Sequence, residues 1–194
     1  MRYGPEHKQK TRERVLAAAA KAIRAEGPHR VGVAGVMGKA GLTHGGFYAH
    51  FASKDALIAA AIDHMFEAAR ARWERETVGR SPAEGLAAYI DFYLSAAHRD
   101  ARGSGCPMPA LAGDLPRLTG ASRAAFGAGT RALIERLAGH LAALGHADAE
   151  ALASSVLAEL VGALSLARGE PDRERSDALL AASRRMVRER AGLR

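Results

Sequence analysis

Apolar residues recur three and four positions apart along almost the whole chain, with no strand-like alternation, internal repeat or low-complexity linker between them. That spacing gathers side chains on one face of an α-helix and scatters them on a strand, so the expected fold class is all-α. Composition points the same way: 5% of residues are aromatic against 48% hydrophobic, leaving Leu, Val, Ile and Ala to fill the core. Helices close-pack around such side chains, whereas a β-sandwich relies on aromatic and β-branched pairs. At 194 residues the chain suits one compact unit, or a small domain joined to a larger one, and can bury a substantial core.

About nine helices are expected. Val15, Leu16, Ala19, Ala20 and Ile23 line one over 6–26, which Gly27-Pro28 ends. Two short pieces follow, near 33–40 and 43–51, and Ser53 is placed to cap a long helix from Lys54 to about 76. Pro82 fits the first turn of another, running to about Asp100. The stretch 101–121 is too rich in Gly and Pro for more than short turns. Three further helices are expected near 122–144, 148–167 and 176–190.

The net charge of +7 sits at one end. Residues 1–54 carry ten basic and three acidic side chains, while 55–194 carry eighteen of each. A basic module on a neutral body points to a polyanion as partner, the alternative being a solvated basic face. The single cysteine excludes a disulfide framework and fits a reducing compartment. No apolar run is expected to reach the roughly 18 residues that span a bilayer, and Met1–Glu6 lacks the apolar stretch of a secretion signal. The expectation is a cytoplasmic, nucleoid-associated protein with no membrane partner.

The most informative segment is 28–54. Its two short helices, joined at Ala40-Gly41-Leu42-Thr43, have the form of a helix-turn-helix, with Gly41 permitting a left-handed turn and Thr43 suited to cap the second helix. Phe47 and Phe51, four apart, are expected to clamp that helix onto Val15, Ala19 and Val36. The opposite side then presents His44, Gly45, Tyr48 and His50. Tyr48 and His50 can donate to phosphate, His44 can reach a base edge, and the two glycines leave the backbone bare for close approach. Lys54 adds charge near the positive end of the next helix. Gly35 and Gly38 both fall in the first motif helix and each weakens it by about 1 kcal/mol against Ala, which would leave the motif loosely held until DNA binds.

The run Thr11-Arg12-Glu13-Arg14-Val15-Leu16, followed by Ala40-Gly41-Leu42-Thr43-His44-Gly45-Gly46-Phe47-Tyr48-Ala49-His50-Phe51-Ala52-Ser53-Lys54-Asp55-Ala56-Leu57, resembles the TetR/AcrR family of transcriptional regulators over about residues 8–65. The resemblance implies a helix-turn-helix DNA-binding domain over 1–53 and a helical ligand-sensing and dimerisation domain over 54–194. It implies a homodimer on a near-palindromic operator, usually a repressor, released when an effector reaches the second domain. Its recognition helix would be Thr43–His50, with Tyr48, His50 and Lys54 at phosphate positions and His44, Gly45 and Gly46 near bases. Lys8, Lys10, Arg12 and Arg14 would track the DNA backbone or enter the minor groove, unless they form a frayed basic terminus.

In the body, Leu152, Val156, Leu160 and Leu164 form one stripe and Leu179, Leu180, Met186 and Val187 another, with Ala153, Ala163 and Ala167 allowing close packing. By the resemblance these helices pair between subunits; the alternative is an intramolecular core. Met65, Phe66, Tyr89, Phe92, Tyr93 and Phe126 are candidate walls of an effector cavity, though each also suits ordinary core. Cys106, near His98, Arg99 and Arg102, is expected to be drawn toward the thiolate by local positive charge. Its Gly-Cys-Pro setting is similar to a branch of the family that senses electrophiles or oxidants. The alternative is a purely structural cysteine beside a non-covalent small-molecule inducer. No paired carboxylates, His/Glu metal spacing, P-loop or nucleophile–base pattern marks an enzyme, and no metal or other cofactor is expected. An RNA-binding or scaffolding helical protein is the remaining rival.

Overall fold

The computed structural model describes residues 5–193, which form nine α-helices, two 3₁₀ turns and no strand. Residues 1–4 and Arg194 lie outside the described residues, and with them Arg2 and most of the segment read for a secretion signal. α1 (Pro5–Glu26) already contains Lys8, Lys10, Arg12 and Arg14. These four are therefore not an extended arm that could lie in a minor groove. Pro5 at the first helical position and Glu6 in the positively polarised first turn both favour the helix from its start. α1 ends at Gly27, which adopts φ +83°.

α2 (Val33–Lys39) and a 3₁₀ turn (His44–Ala49) follow, and Gly41 between them has φ +71°. Val36, Met37, Phe47 and Phe51 join Val15, Ala19 and Ile23 of α1 in one buried cluster. α3 (Lys54–Thr77) starts where expected, Ser53 Oγ accepting the Ala56 N–H at 3.0 Å. It packs against α1 at one end and against α4 (Pro82–Tyr93) and α7 (Gly120–Ala143) along its length, so one helix serves both halves. α3 and α7 approach closely enough that a Cβ at Gly129 would stand 2.2 Å from the Phe66 ring.

The helix expected over 82–100 is broken. α4 ends at Tyr93, and Ser95 starts α5 (Ala96–Asp100) by donating to the Phe92 carbonyl at 2.7 Å and accepting the His98 N–H at 3.1 Å. A serine that bonds local backbone in this way competes with helix continuation. The Gly/Pro-rich stretch holds only α6 (Met108–Leu111) and a 3₁₀ turn (Leu115–Arg117).

α8 (Ala149–Gly169) and α9 (Arg173–Arg190) form a hairpin closed by Asp172, whose carboxylate caps α9. Of the residues expected at a subunit interface, Val156, Leu160, Leu164, Leu180 and Val187 are buried in the chain's own core, as are Ala153, Ala163 and Ala167. Leu152 packs partly buried against that core, and of the two stripes Met186 and Leu179 are exposed. Hydrophobicity drew the larger side chains inward and left small ones outside: Ala151, Ser154, Ser155, Ala158 and Ser165 on α8, and Ala178 and Ala182 on α9. This corrects a second expectation. By length and composition α8 is apolar enough to cross a membrane, yet 39% of its apolar window is buried inside the fold. Leu and Val side chains with Ala153, Ala163 and Ala167 supply that buried part, and Ala151, Ala158 and Leu166 make the exposed remainder apolar.

Candidate nucleic-acid interface and buried cavity

The 3₁₀ turn is anchored from beneath. Phe47 is buried, with its ring centroid 5.7 Å from Phe51 and 5.2 Å from Tyr48, which meets it edge-on. Anchoring one side exposes the other: Thr43, His44, Gly45 and Tyr48 face outward, Tyr48 with 71% of its surface open. Gly45 has open space where a Cβ would be, whereas a Cβ at Gly46 would stand 3.8 Å from the Met37 methyl group. Thr43 holds the N-cap position in extended conformation, but its side chain makes no capping bond, so the expected cap is absent. The C-terminal end of α2 is tied down by Arg14, whose guanidinium donates to the Ala40 carbonyl and lies 3.2 Å from where a Gly41 Cβ would be. Nothing in the sequence spacing marks Arg14 for that role.

Charge converges beside the turn. The Arg12 guanidinium lies 4.6 Å over the Phe51 ring. Partial burial, then the charges of Lys8 and Arg12, hold the His50 imidazole below its ordinary pKa. Its Nδ1 is buried without a hydrogen-bond partner. Lys8 and Arg12 therefore form one cationic flank of the turn, with the neutral His50 ring beside them. Lys54, at the start of α3, donates to the His29 carbonyl at 3.2 Å and remains partly exposed on the other flank. Lys10, two residues from Lys8, points about 160° away around α1 and is not brought to this patch. The result is a bare turn flanked by cations, suited to sit against phosphates and a groove floor.

The predicted cavity walls divide. Tyr89, Phe92 and Tyr93 line a cavity of about 300 Å³ together with Arg72, His98 and Cys106. Phe66 instead borders a separate depression between α3 and α7 and meets Phe126 edge-on at 5.6 Å. Met65 is fully buried core, and Phe126 lines neither space. Arg72, Arg75, Ser104 and Gly105 complete the first cavity without having been expected there. The signal for the arginines was the small-residue face Ala68-Ala69 one turn away on α3, which leaves room beside them.

The break before α5 builds the cavity floor. His98 Nδ1 lies 2.8 Å from the Tyr93 carbonyl and Nε2 lies 3.0 Å from the Cys106 backbone N–H. Nδ1 must donate and Nε2 accept, so the ring is neutral; burial above all, then Arg168 and Arg72, lowers its pKa to about 4. Cys106 is also buried, and burial pushes its thiol up, outweighing Tyr93, Met108, Arg24 and Arg168, which favour the thiolate. Sequence proximity to Arg99 misled here. Arg99 turns away to Asp100, to Ser176 at 2.8 Å and to Asp177 at 2.5 Å. Tyr93 is fully buried beside the thiol, and its hydroxyl makes no hydrogen bond of normal geometry.

The same floor touches the rest of the molecule. Arg168 of α8 donates to the His98 and Arg99 carbonyls at 3.0 and 3.1 Å. Gly103 lies against the Lys21 stem of α1, and Gly27 lies beside Asp114. Among the described residues, no group of three His, Cys, Asp or Glu is arranged to hold a metal.

Comparison with known proteins gives a family match at the helix-turn-helix: residues 15–61 match the family of bacterial regulatory proteins, tetR family. No curated protein matches the chain significantly. Among solved structures the chain is similar to a TetR-family transcriptional regulator from Agrobacterium tumefaciens, at 25% identity and TM-score 0.80, covering 94% of this chain and 98% of that one. A TetR regulator from Chloroflexus aurantiacus is also 25% identical, with TM-score 0.80 and 94% of each chain covered. The reduced form of E. coli NemR shares the fold at TM-score 0.82 and 22% identity, over 93% of this chain and 96% of that one.

Proposed function

We propose that this chain, which belongs to the tetR family of bacterial regulatory proteins by its N-terminal domain and has the family's fold throughout, is a homodimeric repressor that leaves a palindromic operator when an effector fills its cavity. Residues 1–53 are the DNA-binding domain in this reading, and 54–194 the sensing and dimerisation domain. The observation that carries it is the 3₁₀ turn, which buries Phe47 while presenting His44, Gly45 and Tyr48 between two cationic flanks. Tyr48, His50, Lys54, Lys8 and Arg12 contact phosphate; Thr43, His44, Gly45 and Gly46 lie nearest the bases.

A palindrome is read by a two-fold protein. The small-residue face of α8 and α9, with Leu166 64% and Met186 43% exposed, is the surface that pairs with a second copy. Small side chains let two helix hairpins approach closely, and an apolar face on a helix only part-covered by its own fold supports such pairing. For the cavity, buried Cys106 with its raised thiol pKa favours the non-covalent inducer over thiolate-based sensing.

The test is a titration of labelled operator, selected from genomic fragments, in rising salt. Affinity should fall steeply and linearly in log–log form, and random duplex should bind at least a thousandfold more weakly. Tyr48→Ala and Lys54→Ala should each weaken operator binding about tenfold or more with helicity and dimer mass unchanged. Unaltered affinity in both would overturn the interface assignment.

A further inference from the structure

The cavity bordered by α3, α4, α5 and the 101–106 segment carries charge of one sign. The charged side chains on its wall are Arg72 and Arg75, and no carboxylate lines it. Arg72 is set in place rather than loose. Its guanidinium lies 4.2 Å over the Phe92 ring, and Nη1 reaches Glu76 at 3.2 Å, which leaves further N–H donors of the fork unspent. Glu76 also bonds Arg80, so its single negative charge is shared between two arginines. Deeper in, the wall is aromatic: Tyr89, Phe92, Tyr93 and the neutral His98 ring, which stacks on Phe92 at 4.9 Å and 19°. Tyr93 is fully buried at the back of this wall, its hydroxyl beside the Cys106 thiol. A dry cavity of about 150 Å³ accommodates one benzene ring, so the roughly 300 Å³ here admits one ring bearing a short substituent.

We infer that the cavity binds single-ring aromatic carboxylates, the ring packed against the Tyr89, Phe92 and His98 wall and the carboxylate held by Arg72 at the mouth. The inference rests on the reading of this cavity as the effector site but does not require DNA binding. A guanidinium fork matches a carboxylate in plane, which a neutral amide of the same shape does not reproduce. Trp73, edge-on to Tyr89 at 4.6 Å, lies just behind the wall and reports occupancy through its fluorescence.

The experiment is calorimetric titration of the full-length protein, without DNA, with benzoate, 4-hydroxybenzoate and trans-cinnamate, each paired with its neutral amide. Trp73 emission is followed in the benzoate and benzamide arms. At least one acid should bind at least tenfold more tightly than its amide. Arg72→Gln, at a half-buried rim position and checked by its circular-dichroism spectrum, should reduce that preference to within twofold. Amides binding as well as acids, no acid binding at millimolar concentration, or an undiminished preference in Arg72→Gln would each overturn the inference. A protein that binds acids but no operator would refute the repressor reading and leave this one standing. One that binds operator but no acid would do the reverse.

Discussion

His98 shows how a single residue turns a local break into a functional surface. Both ring nitrogens are committed, one to the Tyr93 carbonyl and one to the Cys106 N–H, and only the neutral ring can serve both. Its pKa lies near 4 in the folded protein against 6.5 in an ordinary setting. Between those values the unfolded chain holds a proton that the folded chain does not. This contribution to stability is therefore complete above about pH 6.5, falls as the pH drops through the window and levels off below about pH 4, amounting in all to about 3 kcal/mol. Urea unfolding at about pH 7 and about pH 5 should show a loss of about 2 kcal/mol from this group. His98→Gln should remove most of that difference; an equally steep pH dependence in the variant would place its origin elsewhere. Neighbouring residues can also have opposite roles. Phe47→Ala should destabilise the fold by about 3–5 kcal/mol. Tyr48→Ala, one residue on, should change stability by no more than about 0.5 kcal/mol in thermal unfolding, because the ring is mostly in solvent.

Among the elements, those set by strong local signals were legible in the sequence. Ser53 with Lys54 starts α3, Pro82 sits in the first turn of α4, and Gly41 takes the left-handed turn between the motif helices. The break at Ser95 was not legible, because a lone serine in a helical pattern is common and its two backbone bonds exist only once the chain has turned. That break creates α5 and hence the His98–Cys106 floor, so half the cavity escaped sequence reasoning. Arg72 and Arg75 escaped for a related reason: exposed arginines on a helix look like solvated charge until a neighbouring element closes over them. The weakness expected of α2 rests on its glycines. Gly35 and Gly38 occupy two of its seven positions, and a Cβ at either would meet no atom within 4 Å. Gly35→Ala and Gly38→Ala should therefore each stabilise the protein by about 1 kcal/mol in chemical denaturation, since Ala fits the helix without strain and narrows the unfolded ensemble. A destabilised variant would mean that α2 tolerates no side chain at that position.

At the scale of the whole molecule, the positions expected at a subunit interface are apolar and regularly spaced, and that is why all but Leu152, Leu179 and Met186 went fully inward. A monomer core claims its largest side chains first. What remains for a partner is a face of Ala and Ser with Leu166, Leu179 and Met186 among them. Such a face is not recognisable from hydrophobicity alone, because a small-residue row resembles any solvent-exposed helix. The arrangement separates two failures that are otherwise alike. Ala158 is exposed near the middle of α8, so Ala158→Arg leaves the intramolecular core untouched and on an isolated chain should change stability by no more than about 0.5 kcal/mol. In a paired hairpin the same arginine inserts a charge and a long side chain where two helices meet, and light scattering should report half the wild-type mass. Operator affinity should fall with it, because two half-sites can no longer be engaged together, while binding to a single half-site, already weak, should be unchanged. A variant that keeps its dimer mass would move the interface off this face. One that becomes monomeric yet binds the full operator at wild-type strength would show that pairing is not what places the two turns on DNA.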